Sequence, residues 1–201
     1  PDGGARAVVT AWSLDNPPDY MVVNLASNAA ANSETYYPAV EFLPGGLFGN
    51  PDYRTTSIVL RKVMAKDVTW TMGSAPTEWK RMADETAHNV TLTDNYYIGV
   101  FPVTQAQYLR FQTKKFDFAV EGTMRPAGNV KYSEIDTAFL PALRTKTGLS
   151  FALPSESQWE FACRAGNGSG YWGDGSPILT TSEDANLAKL GRVVYNGGQV
   201  K

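Results

Sequence analysis

The residues with the strongest chemical potential in this chain are few. There is one cysteine, Cys163, and one histidine, His88. A lone thiol forms no internal disulfide. Its plain reading is a small buried hydrophobe. No Ser or Cys nucleophile is spaced to pair with His88, which reads as a surface or rim residue in a strand. Asp84 and Glu85 are adjacent carboxylates expected to be solvated. Glu156 and Glu160 are a carboxylate pair one helical turn apart on one face, for which anchoring and acid-and-base use are the two readings. Gly166-Asn-Gly-Ser-Gly170 follows a helix instead of opening one, so its amides would not aim at a phosphate. Asn89-Val-Thr91 and Asn167-Gly-Ser169 fit the glycosylation sequon.

The element that must position Glu156, Glu160 and Cys163 is specified over Leu153-Pro-Ser-Glu-Ser-Gln-Trp-Glu-Phe-Ala-Cys-Arg-Ala-Gly166. Pro154 disfavours helical geometry in the residue before it, which stops an earlier helix from running through. Ser155 and Gln158 form a capping-box pattern. Trp159, Ala162 and Cys163 fall at i, i+3 and i+4, an apolar stripe. Gly166 is expected to supply the left-handed stop.

Around this helix the pattern predicts strands first and helices between. Strand-like runs are Tyr20–Leu25, Tyr37–Leu43, Thr56–Val63, Val68–Gly73, Asn89–Thr93 and Tyr96–Val103. Thr104 with Gln107 is a second capping-box pattern. Ser133 reads as a cap for a helix whose Ile135, Phe139 and Leu143 share a face, and Pro141 should kink or end it. Without strand-helix-strand alternation, the class is α+β with an antiparallel sheet. Residues 1–57 read as a small β-rich appendage and 58–201 as the main domain, incomplete at its C-terminus.

Bulk properties exclude several roles. A chain of 201 residues buries roughly 70% of its unfolded surface, enough for a core without staples. The formal charge of −2, with 19% charged residues, gives no basic footprint for nucleic acid. No apolar run approaches the ~20 residues of a membrane helix.

The 153–166 segment resembles the Arg-Leu-Pro-Thr-Glu-Ala-Glu-Trp-Glu-Tyr-Ala-Ala-Arg-Gly-Gly signature of the formylglycine-generating enzyme, or sulfatase-modifying factor, family. Further segments are similar in the same order: Trp70-Thr-Met-Gly-Ser74, Asp84–Val90, Phe101–Tyr108, Arg125–Glu134, Tyr171-Trp-Gly173 and Asp184-Ala-Asn-Leu187. Together they cover residues 58 to about 198.

The resemblance implies a C-type-lectin-like fold whose loops carry function. It also implies that Ser155, Glu156, Trp159, Glu160, Arg164, Trp172 and Gly173 form a structural motif, the two glutamates anchoring the helix to neighbouring loops. Active relatives bind copper through two thiols in a later Gly-Asn-x-x-Glu-Trp region, and Cys163 matches neither. Copper is therefore expected only if a further part of the protein supplies thiols.

Calcium is implied through the Asn186 side chain and the Leu187 carbonyl, with Asp184, Asn196 and the Gly197 carbonyl completing an oxygen shell. Tyr96, Tyr97, Tyr171 and Trp172 are candidates to line a groove for a peptide, protein or glycan. Three roles follow: part of an oxidase that converts a sulfatase cysteine to formylglycine, a non-catalytic binding module, or a structural connector. The setting implied is extracytoplasmic.

Overall fold

The computed structural model describes residues 18–76, 78, 81–113 and 122–165. Strands β1 (Tyr20–Asn24), β2 (Thr35–Tyr37), β3 (Ser57–Val63) and β6 (Tyr96–Gly99) form one antiparallel sheet in the order β2-β1-β3-β6. Strands β4 (Thr69–Met72) and β5 (His88–Thr91) form a separate antiparallel ribbon. The chain divides accordingly into two units. The first holds the four-stranded sheet, from residues up to 63 and 96–153. The second holds the ribbon and the 155–165 helix, from residues 64–95 and from 154 onward.

In the first unit β3 is the central strand. Its buried Ile58 and Leu60, with Met21 and Val23 of β1, pack against Tyr108, Phe139, Leu140 and Leu143. β1 meets β3 along its whole length, Tyr20 opposite Arg61 and Asn24 opposite Ser57. A boundary at 57/58 thus falls inside one sheet, and the stretch before it supplies two of the four strands instead of an appendage. β-Branched content marks a strand, but which strands pair is a non-local matter.

Local differences have equally local causes. The run 37–43 is not one strand: Pro38 follows the last residue of β2, and Val40–Phe42 coil into a 3₁₀ turn. Proline has no N–H to extend the ladder, so pairing ends there. Short helices α1 (Gln105–Tyr108), α2 (Tyr132–Glu134) and α3 (Leu140–Thr147) complete the unit. α2 is capped at Lys131, whose extended backbone N–H donates to Glu134 Oε2 at 3.1 Å; Ser133 lies inside the helix.

Pro141 does not end the helical run. Between α2 and α3, Ile135–Phe139 widen into a π turn in which the Leu140 N–H reaches the Ile135 carbonyl. The widening sits immediately upstream of a residue that lacks an N–H and would crowd the carbonyl four residues back. Phe139 then stacks on Tyr108 at 5.0 Å and meets Phe111 edge-on at 5.7 Å. α3 ends at Gly148, φ 75°, where a Cβ would approach Asn32 Oδ1 to 2.5 Å.

Buried polar groups tie the helices to the sheet. Thr104 and Gln107 cap α1 reciprocally. The Gln107 side chain also donates to the carbonyls of Tyr53 (3.1 Å) and Ser57 (2.6 Å), and Thr104 Oγ1 donates to the Arg54 carbonyl (2.7 Å).

Candidate functional site

In the second unit the helix read from residues 155–166 is α4, Glu156–Arg164. Its capping box is complete: Gln158 N–H donates to Ser155 Oγ at 3.2 Å, and Ser155 N–H to Gln158 Oε1 at 2.9 Å. Two orphan amides of the first turn are satisfied without outside help. The stop differs from the sequence reading. Ala165 adopts the left-handed conformation, φ 50° and ψ 39°, and its N–H closes on the Phe161 carbonyl. A Cβ is strained there. Ala165→Gly is expected to stabilise the protein by about 1 kcal/mol, read as a raised midpoint in denaturant titration; a lowered midpoint would contradict the strain.

Glu160 and Arg164 both grip one glycine. Glu160 Oε1 accepts from the Gly73 N–H at 3.0 Å and from Arg164 Nε at 2.7 Å, while Arg164 Nη2 donates to the Gly73 carbonyl at 2.7 Å. The Arg164–Glu160 ion pair closes at 2.6 Å, and the two side chains are 9% and 17% exposed. Gly73 sits at φ 91°, and a Cβ there would lie 2.8 Å from the Glu85 carbonyl oxygen. Only glycine meets both demands.

The following residue continues the knot. Ser74 N–H donates to the Glu85 carbonyl at 2.8 Å and Ser74 Oγ to Glu85 Oε2 at 2.5 Å. Arg81 Nε donates to the Ser74 carbonyl at 3.3 Å and its Nη2 to Thr86 Oγ1 at 3.1 Å. Glu85 therefore has a definite partner although it is exposed.

On α4, Phe161 meets Trp70 of β4, and Glu160 and Arg164 reach Gly73 just past the end of that strand. Phe161 lies edge-on to Trp70 at 5.6 Å. Trp159 is 51% exposed, and Ala162 and Cys163 are half-buried. Spacing on a helix fixes which residues share a face, but the partner decides which face is used. Glu156 is exposed in the first turn, where a carboxylate complements the helix dipole, and its side chain has no partner among the described residues.

The remaining candidates separate from this cluster. Cys163 is a free thiol raised above its usual pKa, chiefly by burial; the Arg164 charge pulls it down and Glu160 pushes it up. The thiol form therefore prevails at neutral pH. Alkylation of Cys163 by iodoacetamide is expected to be several-fold slower in the folded protein than in urea; equal rates would show that burial does not hold the thiol back.

His88 is exposed at the start of β5, its Nδ1 paired with the Thr86 carbonyl at 2.8 Å. Tyr97 is committed to packing: its hydroxyl donates to the Pro18 carbonyl, its ring meets Tyr36 edge-on, and burial pushes its pKa up. Tyr96 is likewise half-buried, with its pKa raised to about 12 by burial. Tyr171, Trp172, Gly173, Asp184, Asn186, Leu187, Asn196 and Gly197 lie outside the described residues. What sequence reasoning missed is the convergence of Glu160 and Arg164 on Gly73; the one local signal was a glycine ending an alternating strand.

An α+β domain with antiparallel sheets and short helices, in which a capped helix is clamped to a Met-Gly-Ser turn, is the class these observations define. Comparison with protein families places it further. The family model of the sulfatase-modifying factor enzyme 1-like domain matches residues 61–197, more than half of the chain, and the protein belongs to this family, whose fold is C-type-lectin-like. No curated protein and no solved structure matched the chain.

Proposed function

We propose that the chain as it stands serves as an extracytoplasmic binding or scaffold domain of the sulfatase-modifying factor family, without oxidase activity of its own. One observation carries this reading. The only thiol, Cys163, is half-buried on α4, and its neighbours Glu160 and Arg164 are consumed in holding Gly73. Copper chemistry of the family type needs two thiolates at one metal, and these residues do not fit it. The loops of the fold are left to contact a peptide, protein or glycan, because fold alone does not dictate chemistry.

Oxygen uptake with copper and a cysteine-containing sulfatase peptide is the direct test. The expected result is no uptake above the peptide-free control, together with retention on a peptide or glycan array. Turnover by this chain would overturn the reading. The second reading, that the chain is the N-terminal part of an active copper-dependent oxidase, rests on the family match itself. It requires a thiol pair encoded beyond Lys201.

Calcium belongs to the same proposal. Asn186, Leu187, Asn196 and Gly197 offer side-chain and carbonyl oxygens, the donor type that calcium takes. A higher thermal midpoint in calcium than in chelator is expected; identical midpoints would remove calcium from the account.

A further inference from the structure

The β4–β5 ribbon has two unlike faces. Trp70 and Val90, opposite each other in the register, are half-buried, and Trp70 carries the contact to Phe161 of α4. The other face bears Thr69 opposite Thr91 and Thr71 opposite Asn89, all four exposed. Alternation along a strand puts Asn89 and Thr91, the first and third residues of the sequon, on this same bare face.

We propose that Asn89 is an N-glycan acceptor whose modification the folded domain accommodates. The hydrogen bonding is what distinguishes it from a bare motif. Asn89 uses its carbonyl: Oδ1 accepts from Thr71 Oγ1 at 3.2 Å. The amide nitrogen, which would carry the sugar, has no partner among the described residues. Glycosylation forms a bond from that Nδ2 to the anomeric carbon of a lipid-pyrophosphate-linked oligosaccharide. The bond from that carbon to the pyrophosphate oxygen breaks, lipid pyrophosphate leaves, and the amide gives up one proton. Oδ1 keeps its lone pairs, so the bond from Thr71 survives. Val90 stays on the packed face and is untouched.

The Thr91 hydroxyl is closed against Thr69 Oγ1 at 2.7 Å in the folded ribbon. A transferase that must engage that hydroxyl therefore acts before the ribbon closes. A glycan there would also shield a two-stranded element, whose outer edges are natural sites for unwanted strand pairing.

The proposal relies on the extracytoplasmic reading only for where the transferase is met, so the experiment supplies the compartment. The full chain is secreted from a eukaryotic host behind a heterologous signal. It is then treated with peptide N-glycosidase in heavy-oxygen water, and Asn89 is read by mass spectrometry as labelled aspartate. Labelling at 89 is expected, lost in Asn89→Gln and in Thr91→Ala but retained in Thr71→Ala. The thermal midpoint of the glycosylated protein should match that of the enzymatically deglycosylated one within a few degrees.

An unlabelled Asn89 in secreted protein, beside a co-expressed reporter glycoprotein that is modified, overturns the acceptor assignment and leaves the compartment reading untouched. A glycan at Asn89 that lowers the midpoint by ten degrees or more overturns the accommodation.

Discussion

Arg164→Ala should cost the second unit about 3 kcal/mol, the low end of what removing one partner of a buried ion pair costs. The reason is what the substitution leaves behind. Glu160 is largely buried, and without the guanidinium its carboxylate keeps only the Gly73 N–H. The Gly73 carbonyl simultaneously loses its donor. Two defects thus arise from one truncation, a half-paired charge and an orphan acceptor.

Glu160→Ala should destabilise as well, because the Gly73 N–H loses its acceptor and the buried Arg164 guanidinium loses its counter-ion. The double variant should be less destabilised than the sum of the singles, since the second truncation removes the charge that the first one stranded. Urea titration of the three variants reads all of this. An Arg164→Ala midpoint within the equivalent of 1 kcal/mol of the parent would mean that the ion pair is ornamental. Gly73→Ala is a separate route to the same failure, since its Cβ meets backbone, which cannot swing away.

Gln107→Leu should destabilise the first unit by about 3 kcal/mol or more, although leucine has nearly the same volume and higher apolarity. Gln107 is 2% exposed. Its amide serves the Tyr53 and Ser57 carbonyls, and its oxygen takes the Thr104 N–H at 2.9 Å. Leucine leaves three backbone groups unsatisfied in a dry environment, each worth about 1–3 kcal/mol, and only part of that is offset by hydrophobic burial.

A control separates shape from hydrogen bonding. Gln107→Glu keeps the outline but, when ionised, points charge at two carbonyl oxygens. It should be severely destabilised at neutral pH. Burial beside two acceptors raises the pKa of the introduced carboxyl in the folded state, so the protonated form is stabilised by folding. Stability is then present at low pH and lost as pH rises through the unfolded-state value toward the raised folded one. Partial recovery at mildly acid pH, measured by thermal melting, is the expected signature; a flat profile would place the residue outside the buried network.

The parts of this architecture that sequence made legible are those whose physics is local. Both capping boxes, Thr104 with Gln107 and Ser155 with Gln158, are closed by residues three apart, and both form in the structure. Alternation and β-branching marked β3, β4 and β5 to within a residue or two of their bounds.

What escaped depends on distant partners. Nothing within 153–166 says that Gly73 will be the contact of Glu160 and Arg164. The pairing of β1 with β3, which dissolves the 57/58 boundary, is likewise written in no single segment. Near α2 the miss was subtler. Ser133 is a good cap by type, yet the Glu134 side chain reaches back to the Lys131 amide, and the helix starts two residues earlier than Ser133 as cap would have it.

The interleaving of the two units, described above as a matter of fold, also sets a timetable for synthesis. β1, β2 and β3 leave the ribosome early, presenting the apolar face made by Met21, Val23, Ile58 and Leu60. The side chains that cover that face, from Tyr108 to Leu143, come only after the whole β4–β5 ribbon has been made. A nascent chain therefore travels through the middle of its translation with an uncovered sheet, the condition in which strands find the wrong neighbours. Slow synthesis through residues 64–95 would prolong that exposure, and binding of a holdase chaperone to ribosome-bound chains should peak before residue 143 is extruded.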